Sequence, residues 1–259
     1  MIGFKPEWPA PSYVGALMTT RHGGVSSAPW DSLNLGDHVG DNLENVTANR
    51  TRVAQQIQTP AIYLRQVHGV QGVAIDTQTP ANTEADLAWT RQVGVACTMM
   101  VADCLPILVC HPQQKWVASA HAGWRGLAGS QGLGVVESLA SVIHAQGLST
   151  QDCLVWLGPC IGPTAFEVGP EVLAAFQKYK DQDTSKSHFV PSVGGKYMAD
   201  LAGLARSRLL MAGFQYLFGN DSTQAWCTFS QPNQYHSHRR DAALLGSAGR
   251  MAAYIWITA

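Results

Sequence analysis

The chain has 259 residues, 46% of them apolar and 14% charged, with a formal net charge of −1. A typical soluble domain carries about 25% charged residues, so this fold buries much of itself or presents an unusually neutral surface. The balance gives no electrostatic footprint for nucleic acid or an anionic membrane, and no apolar run is long and unbroken enough to span a bilayer.

The opening residues, Met1-Ile2-Gly3-Phe4-Lys5-Pro6-Glu7-Trp8-Pro9, lack the apolar core of a signal peptide. Six cysteines in a chain of this length are too few for a disulfide framework. The expectation is reduced thiols in a cytoplasmic protein. Residues 13–19 read as a strand, ended by the turn Thr20-Arg21-His22-Gly23-Gly24. Residues 30–41, rich in Asn, Asp and Gly, read as an ordered loop. Asp41 or Asn42 then caps a helix running to about residue 56, with Leu43, Val46, Val53 and Ile57 on one face. Short strands over 62–64 and 73–75 flank Gln66-Val67-His68-Gly69.

Residues 94–121 are the densest β region. Two apolar runs, 95–101 and 105–110, meet at the Asp103-Cys104 corner, and a third covers 116–120. The glycine-spaced stretch 126–134 opens a helix over 133–146, where Leu133, Val136, Leu139, Ala140 and Ile143 recur at helical spacing. A strand over 153–157, a short helix over 171–179 and a polar mobile loop over 180–195 follow. Asp200 caps a helix ending near Gly213. Strands over 226–229 and 251–257 close the chain. No repeat or long linker divides it, so one domain over 1–259 is expected. Strands do not alternate regularly with helices, which favours α+β over a doubly wound sheet.

Chemistry concentrates at three strand ends. His68, Cys104 and His121 each sit beside Gly, Asp or Pro, where a strand stops and a side chain can project into a cleft. Two imidazoles and a thiolate are a donor set for zinc, and a catalytic zinc keeps three protein ligands and one open position. The separations match no zinc-finger spacing. The bland alternative is two half-buried histidines and a core thiol. A third option makes Cys104 a nucleophile with His121 as its base. Residues 126–134 lack the ending of a phosphate loop. They read either as an anion site at a helix N-terminus, with Arg125 adding a forked donor, or as close packing through small residues. The cluster His236-Ser237-His238-Arg239-Arg240-Asp241 reads as an anion site or a solvated turn.

Several motifs together resemble one family. They are Thr20-Arg21-His22-Gly23-Gly24, Ser32-Leu33-Asn34-Leu35-Gly36, Gln66-Val67-His68-Gly69, Ala102-Asp103-Cys104-Leu105-Pro106 and His121-Ala122-Gly123-Trp124-Arg125-Gly126. Further on come Gly158-Pro159-Cys160-Ile161-Gly162-Pro163, Arg239-Arg240-Asp241 and Gly249-Arg250-Met251. The chain is similar to the YfiH-like family, also described as multicopper polyphenol oxidoreductase or laccase-like. The resemblance implies a layered α/β/β/α fold with mixed sheets and a zinc on His68, Cys104 and His121. It implies purine nucleoside phosphorolysis (adenosine, inosine, guanosine, methylthioadenosine) and adenosine deamination. Arg21, Asn34, Gln66, Asp103, Arg125 and Arg239 are expected around nucleoside and phosphate, in a monomer or homodimer.

Two other family readings are hydrolytic editing of peptidoglycan precursors and copper-dependent phenol oxidation. Multicopper chemistry needs on the order of ten histidines, and this chain has nine, scattered. The family's usual Phe-Phe-Ser-Tyr-Arg-Arg-Asp is here Tyr235-His236-Ser237-His238-Arg239-Arg240-Asp241. The connection from Asp241 to Gly249 is also longer than usual.

Overall fold

A computed structural model describes residues 2–177 and 187–258. Three strands buried on both faces organise it: β6 (Ala96–Val101), β7 (Leu105–Cys110) and β8 (Val117–Ala122). Their near-continuous apolar runs suit strands covered on both sides. β6 lies in a five-stranded sheet ordered β1-β2-β14-β6-β3, with β1 Gly3–Phe4, β2 Val14–Thr19, β3 Ala61–Ile62 and β14 Met251–Ile257. β7 and β8 lie in a six-stranded sheet ordered β13-β9-β7-β8-β5-β4. Here β4 is Gly72–Ala74, β5 Leu87–Thr90, β9 Leu154–Leu157 and β13 Tyr216–Gly219.

Alternation along these strands builds the layers. Cys97, Met99 and Val101 of β6 pack with Leu108 and Cys110 of β7 between the two sheets. Ala96 and Met100 point the other way, with Leu33, Leu35 and helix α1 (Leu43–Ile57). Leu105, Ile107 and Val109 face the helices α2 (Trp124–Ala128), α3 (Val135–Ala145), α4 (Pro170–Gln177) and α5 (Leu201–Met211). The result is the expected α/β/β/α layering with mixed sheets. Each fully buried Leu, Ile or Val contributes about 1.5–3 kcal/mol.

The helix caps follow from the sequence. Asn42 accepts from the Glu44 amide at 2.7 Å, and Asp200 accepts from the Gly203 amide at 2.9 Å, each satisfying an orphan N-terminal donor.

Other expectations are corrected. No strand forms over 226–229; Gln224–Trp226 is a 3₁₀ turn, with one isolated bridge from Cys160 to Cys227. The Thr228 amide closes that bridge on the Cys160 carbonyl at 2.9 Å, and its hydroxyl donates to Asp103 at 2.6 Å. Of the loop expected over 180–195, residues 180–186 lie outside the described residues. Beyond them β11 (Phe189–Pro191) pairs with β12 (Tyr197–Ala199), which also pairs with β10 (Glu167–Val168). The helix expected over 171–179 is described as far as Gln177. Leu133 is exposed and precedes α3 rather than joining its buried face.

The glycine-spaced stretch 126–134 packs closely against its neighbours. α2 has only five residues. A Cβ at Gly126 would stand 2.7 Å from the Gly69 carbonyl oxygen, and one at Gly134 would stand 2.1 Å from that of Leu127.

Candidate metal centre

Three elements deliver the three candidate ligands. His68 sits on the loop after β3 with φ +60°. Cys104 follows Asp103, whose φ of +83° turns the chain from β6 into β7. His121 lies in β8, directly opposite Pro106 of β7. That register, extended by two residues, sets Cys104 opposite Gly123. A Cβ at Gly123 would stand 2.7 Å from His68 Cδ2 and 2.9 Å from Cys104 Sγ. Glycine there leaves room for the two ligands to converge.

The donor atoms of His68, Cys104 and His121 all lie within 4.8 Å of one another, the one such group of three or more among the described residues. The two imidazoles meet edge to face, 4.8 Å between centroids. Two nitrogens and a sulfur on three separate elements fit a metal with an open position. His₂Cys also suits copper, so the donor set alone does not select the ion.

Asp86 is the residue that the sequence reading missed. It is 0% exposed and accepts from the amides of Val67, His68 and Gly69 at 3.1, 3.0 and 2.8 Å. Its Oδ1 also lies 2.7 Å from His121 Nδ1. The contact fixes the His121 ring and leaves Nε2 as its donor, the usual support for a metal-ligating histidine. Burial opposes ionisation of Asp86, but His121 and the amides outweigh it and hold its pKa below the ordinary value. Burial likewise opposes the Cys104 thiolate, yet His121 and His68 pull its pKa down to about 6. Burial disfavours charge on His121, and the Cys104 thiolate and Asp86 push its pKa up to about 9. Each of the two thus favours the charged form of the other.

The triad lines a cavity of about 520 Å³, within the range of small-molecule sites. Gln66, Asp103, Arg125 and Arg239 share it, as do Trp124, Phe166, His38, His238 and Arg250. Gln66 is pinned by both ends of its amide to the Met100 backbone, at 2.9 and 2.8 Å. Asp103 accepts from Thr228 Oγ1, Ser237 Oγ and the Arg239 amide at 2.6, 3.1 and 2.6 Å. It clamps the C-terminal segment onto the β6–β7 corner. Arg125 lies over Trp124 at 4.4 Å and Arg239 over Phe166 at 5.7 Å.

Arg21 and Asn34 are not among the lining residues. The Arg21 guanidinium donates to the Pro232 and Asp31 carbonyls at 2.9 and 3.1 Å. Asn34 is buried and bonds Gly36, Asp41 and the Arg250 amide. Both hold the scaffold behind the wall. In the C-terminal cluster, His238 and Arg239 reach the cavity, whereas His236, Ser237 and Asp241 are buried. The cluster is therefore neither wholly a site nor a solvated turn. His38 was not singled out by sequence, and Arg250 stood only within the Gly249-Arg250-Met251 motif, with no role at the site assigned to it. Burial lowers the pKa of both, and Arg250 adds to the lowering at His38.

Residues 15–258 match the family described as multi-copper polyphenol oxidoreductase laccase. The chain is 45% identical to a purine nucleoside phosphorylase of Pseudomonas aeruginosa and 41% identical to the purine nucleoside phosphorylase YfiH of Escherichia coli, each over 97% of both proteins. Among solved structures, a Neisseria meningitidis protein superposes with a TM-score of 0.89 at 39% identity, covering 100% of both chains. YlmD from Geobacillus stearothermophilus superposes with a TM-score of 0.87 at 28% identity, covering 100% of this chain and 99% of its own.

Proposed function

We propose that this chain, which belongs to the multi-copper polyphenol oxidoreductase laccase (YfiH-like) family, is a zinc-dependent purine nucleoside phosphorylase. Its substrates are adenosine, inosine, guanosine and methylthioadenosine, and adenosine deamination is its second activity. One observation carries the reading. A His₂Cys donor group, with His121 buried, Cys104 half-buried and His68 exposed, lines a cavity with three arginines, in a chain 41–45% identical to relatives named purine nucleoside phosphorylase.

His68, Cys104 and His121 would hold the metal, with Asp86 orienting His121. Zinc bound there supplies a Lewis acid with one position open to substrate or water. Phosphorolysis breaks the bond between the sugar C1′ and the base nitrogen, forms a C1′–O bond to phosphate and leaves a proton on the base. The chain's share is to bind both reactants and hold them in line. Trp124 and Phe166 offer aromatic faces for the purine. Arg125 and Arg239, lying over those rings, bring donors for an oxyanion. Arg21, the other arginine considered for phosphate, is committed elsewhere. Asp103, with three donors on its carboxylate, positions Arg239 and is a poor source for the leaving-base proton. Six unpaired cysteines suit a reducing compartment, and we read the chain as one cytoplasmic domain.

The test incubates metal-defined protein with adenosine, with and without phosphate, and separates adenine, inosine and ribose 1-phosphate. Adenine with ribose 1-phosphate only when phosphate is present is the expected result. Oxygen uptake with phenol oxidation in proportion to bound copper, and no nucleoside turnover, would replace this reading with the oxidase. Cleavage of an L-Ser-bearing wall precursor without nucleoside turnover would replace it with the hydrolase.

A further inference from the structure

We propose that Arg250, with His38 beside it, seats orthophosphate in this cavity. The inference rests on the phosphorylase reading and names where its second substrate docks.

Arg250 is the half-buried arginine of the cavity; Arg125 and Arg239 are exposed. Its Nη1 donates to the Ala248 and Gly249 carbonyls at 2.9 and 3.3 Å. Nε and Nη2 have no partner among the described residues, in a side chain that lines the cavity. Two free donors on one planar fork match two oxygens of a tetrahedral oxyanion. Arg250 also lies within electrostatic reach of Cys104 and Asp103, so an anion docked on it sits close to the metal-binding group.

The fold is built to hold this side chain. Gly36 lacks the Cβ that would stand 2.7 Å from Arg250 Cγ and 3.4 Å from His38 Cε1. The Arg250 amide donates to Asn34 Oδ1 at 2.9 Å, and its carbonyl accepts from the Leu35 amide at 3.0 Å. Asn34 is itself fixed by Asp41 and by the Asn49 side chain, at 2.9 and 2.8 Å. His38 Nδ1 faces Asp37 at 3.5 Å, and Asp37 is also bridged to Arg50 at 3.2 Å. His38 Nε2 has no protein partner among the described residues; with the ring proton on Nδ1 towards Asp37, it offers a lone pair to a protonated phosphate oxygen.

The charge balance agrees. Three arginines line the cavity against one carboxylate, Asp103, and both oxygens of that carboxylate already accept hydrogen bonds. A concave wall with this balance concentrates anions.

The experiment measures inorganic phosphate binding to metal-loaded protein by calorimetry at fixed ionic strength, with chloride as the balancing anion. The phosphate and adenosine KM values are measured in parallel. Arg250→Met keeps the stem against Gly36 and removes the fork. It should weaken phosphate about tenfold or more, the scale of a lost charge-assisted bond, and leave adenosine KM within about twofold. Arg250→Lys should recover part of the loss, and His38→Asn should weaken phosphate alone. If Arg250→Met does not fold by circular dichroism, Arg250→Lys and His38→Asn carry the test. Wild-type affinity in the folded variants, or loss in Arg125→Gln while Arg250→Met binds normally, overturns the assignment. So does wild-type protein that does not bind phosphate. Phosphate binding that depends on Arg250 without any phosphorolysis would sink the phosphorylase reading and leave the phosphate seat standing.

Discussion

Asp86 holds two of the three candidate ligands at once. Its carboxylate collects the amides around His68 and the imidazole of His121, so one buried charge sets a loop and a strand residue in the same frame. Asp86→Asn keeps the size and one acceptor oxygen but loses the charge that favours His121 as a ligand. Metal affinity, read by chelator competition, should fall about 10–100-fold, with the far-ultraviolet circular dichroism unchanged. Unaltered affinity would show that the carboxylate is only a loop clamp. Cys104→Ala removes the thiolate outright and should leave no stoichiometric zinc and no nucleoside turnover. A full equivalent of zinc in that variant would remove Cys104 from the ligand set.

At the scale of elements, the site lies where β8 passes into α2. Gly123 occupies that junction because any side chain would enter the space of His68 and Cys104. Gly123→Ala should therefore lower metal content sharply while the sheets persist, since the clash falls on ligand side chains and not on the ladder. Wild-type metal content and turnover in Gly123→Ala would show that the ligands do not need this approach. The same element scale separates what could be read in the sequence from what could not. β6, β7 and β8 were legible because burial on both faces writes unbroken apolar runs. The triad was legible because strand-end His and Cys stand beside Gly, Asp and Pro. β5 was missed because Leu87-Ala88-Trp89-Thr90 is short and lies just behind the polar Asp86. That carboxylate meets His121 only through the pairing of Leu87 with Ala120, a fact of topology invisible to spacing. Arg21 and Asn34 stand outside the cavity lining, because polar, glycine-flanked motifs build scaffolds as readily as sites.

Across the whole molecule, the two ends of the chain meet in one sheet: β14 lies between β2 and β6. The segment leading into β14 carries His238, Arg239 and Arg250 to the cavity, and His236 is the buried residue beneath it. His236 is 0% exposed, and neither ring nitrogen has a partner among the described residues. Its ring lies against Gly249, where a Cβ would stand 2.6 Å from Cε1. Burial, then the nearby Arg21, lowers the His236 pKa to about 3, with Asp241 opposing and Arg250 and Arg240 assisting. The sign follows by linkage. An unfolded chain protonates this histidine near its ordinary pKa of about 6.5, while the folded chain resists until about 3. Its contribution to stability is intact above about pH 6.5 and is lost progressively as the pH falls toward 3, at about 1.4 kcal/mol per pH unit. His236→Phe places the ring common at this position of the family pattern and removes the proton site. Urea unfolding of both proteins at about pH 7 and pH 5 should show wild type losing roughly 2 kcal/mol more than the variant. Equal losses would mean that the histidine finds a partner or water in solution, and that another group governs the acid limb.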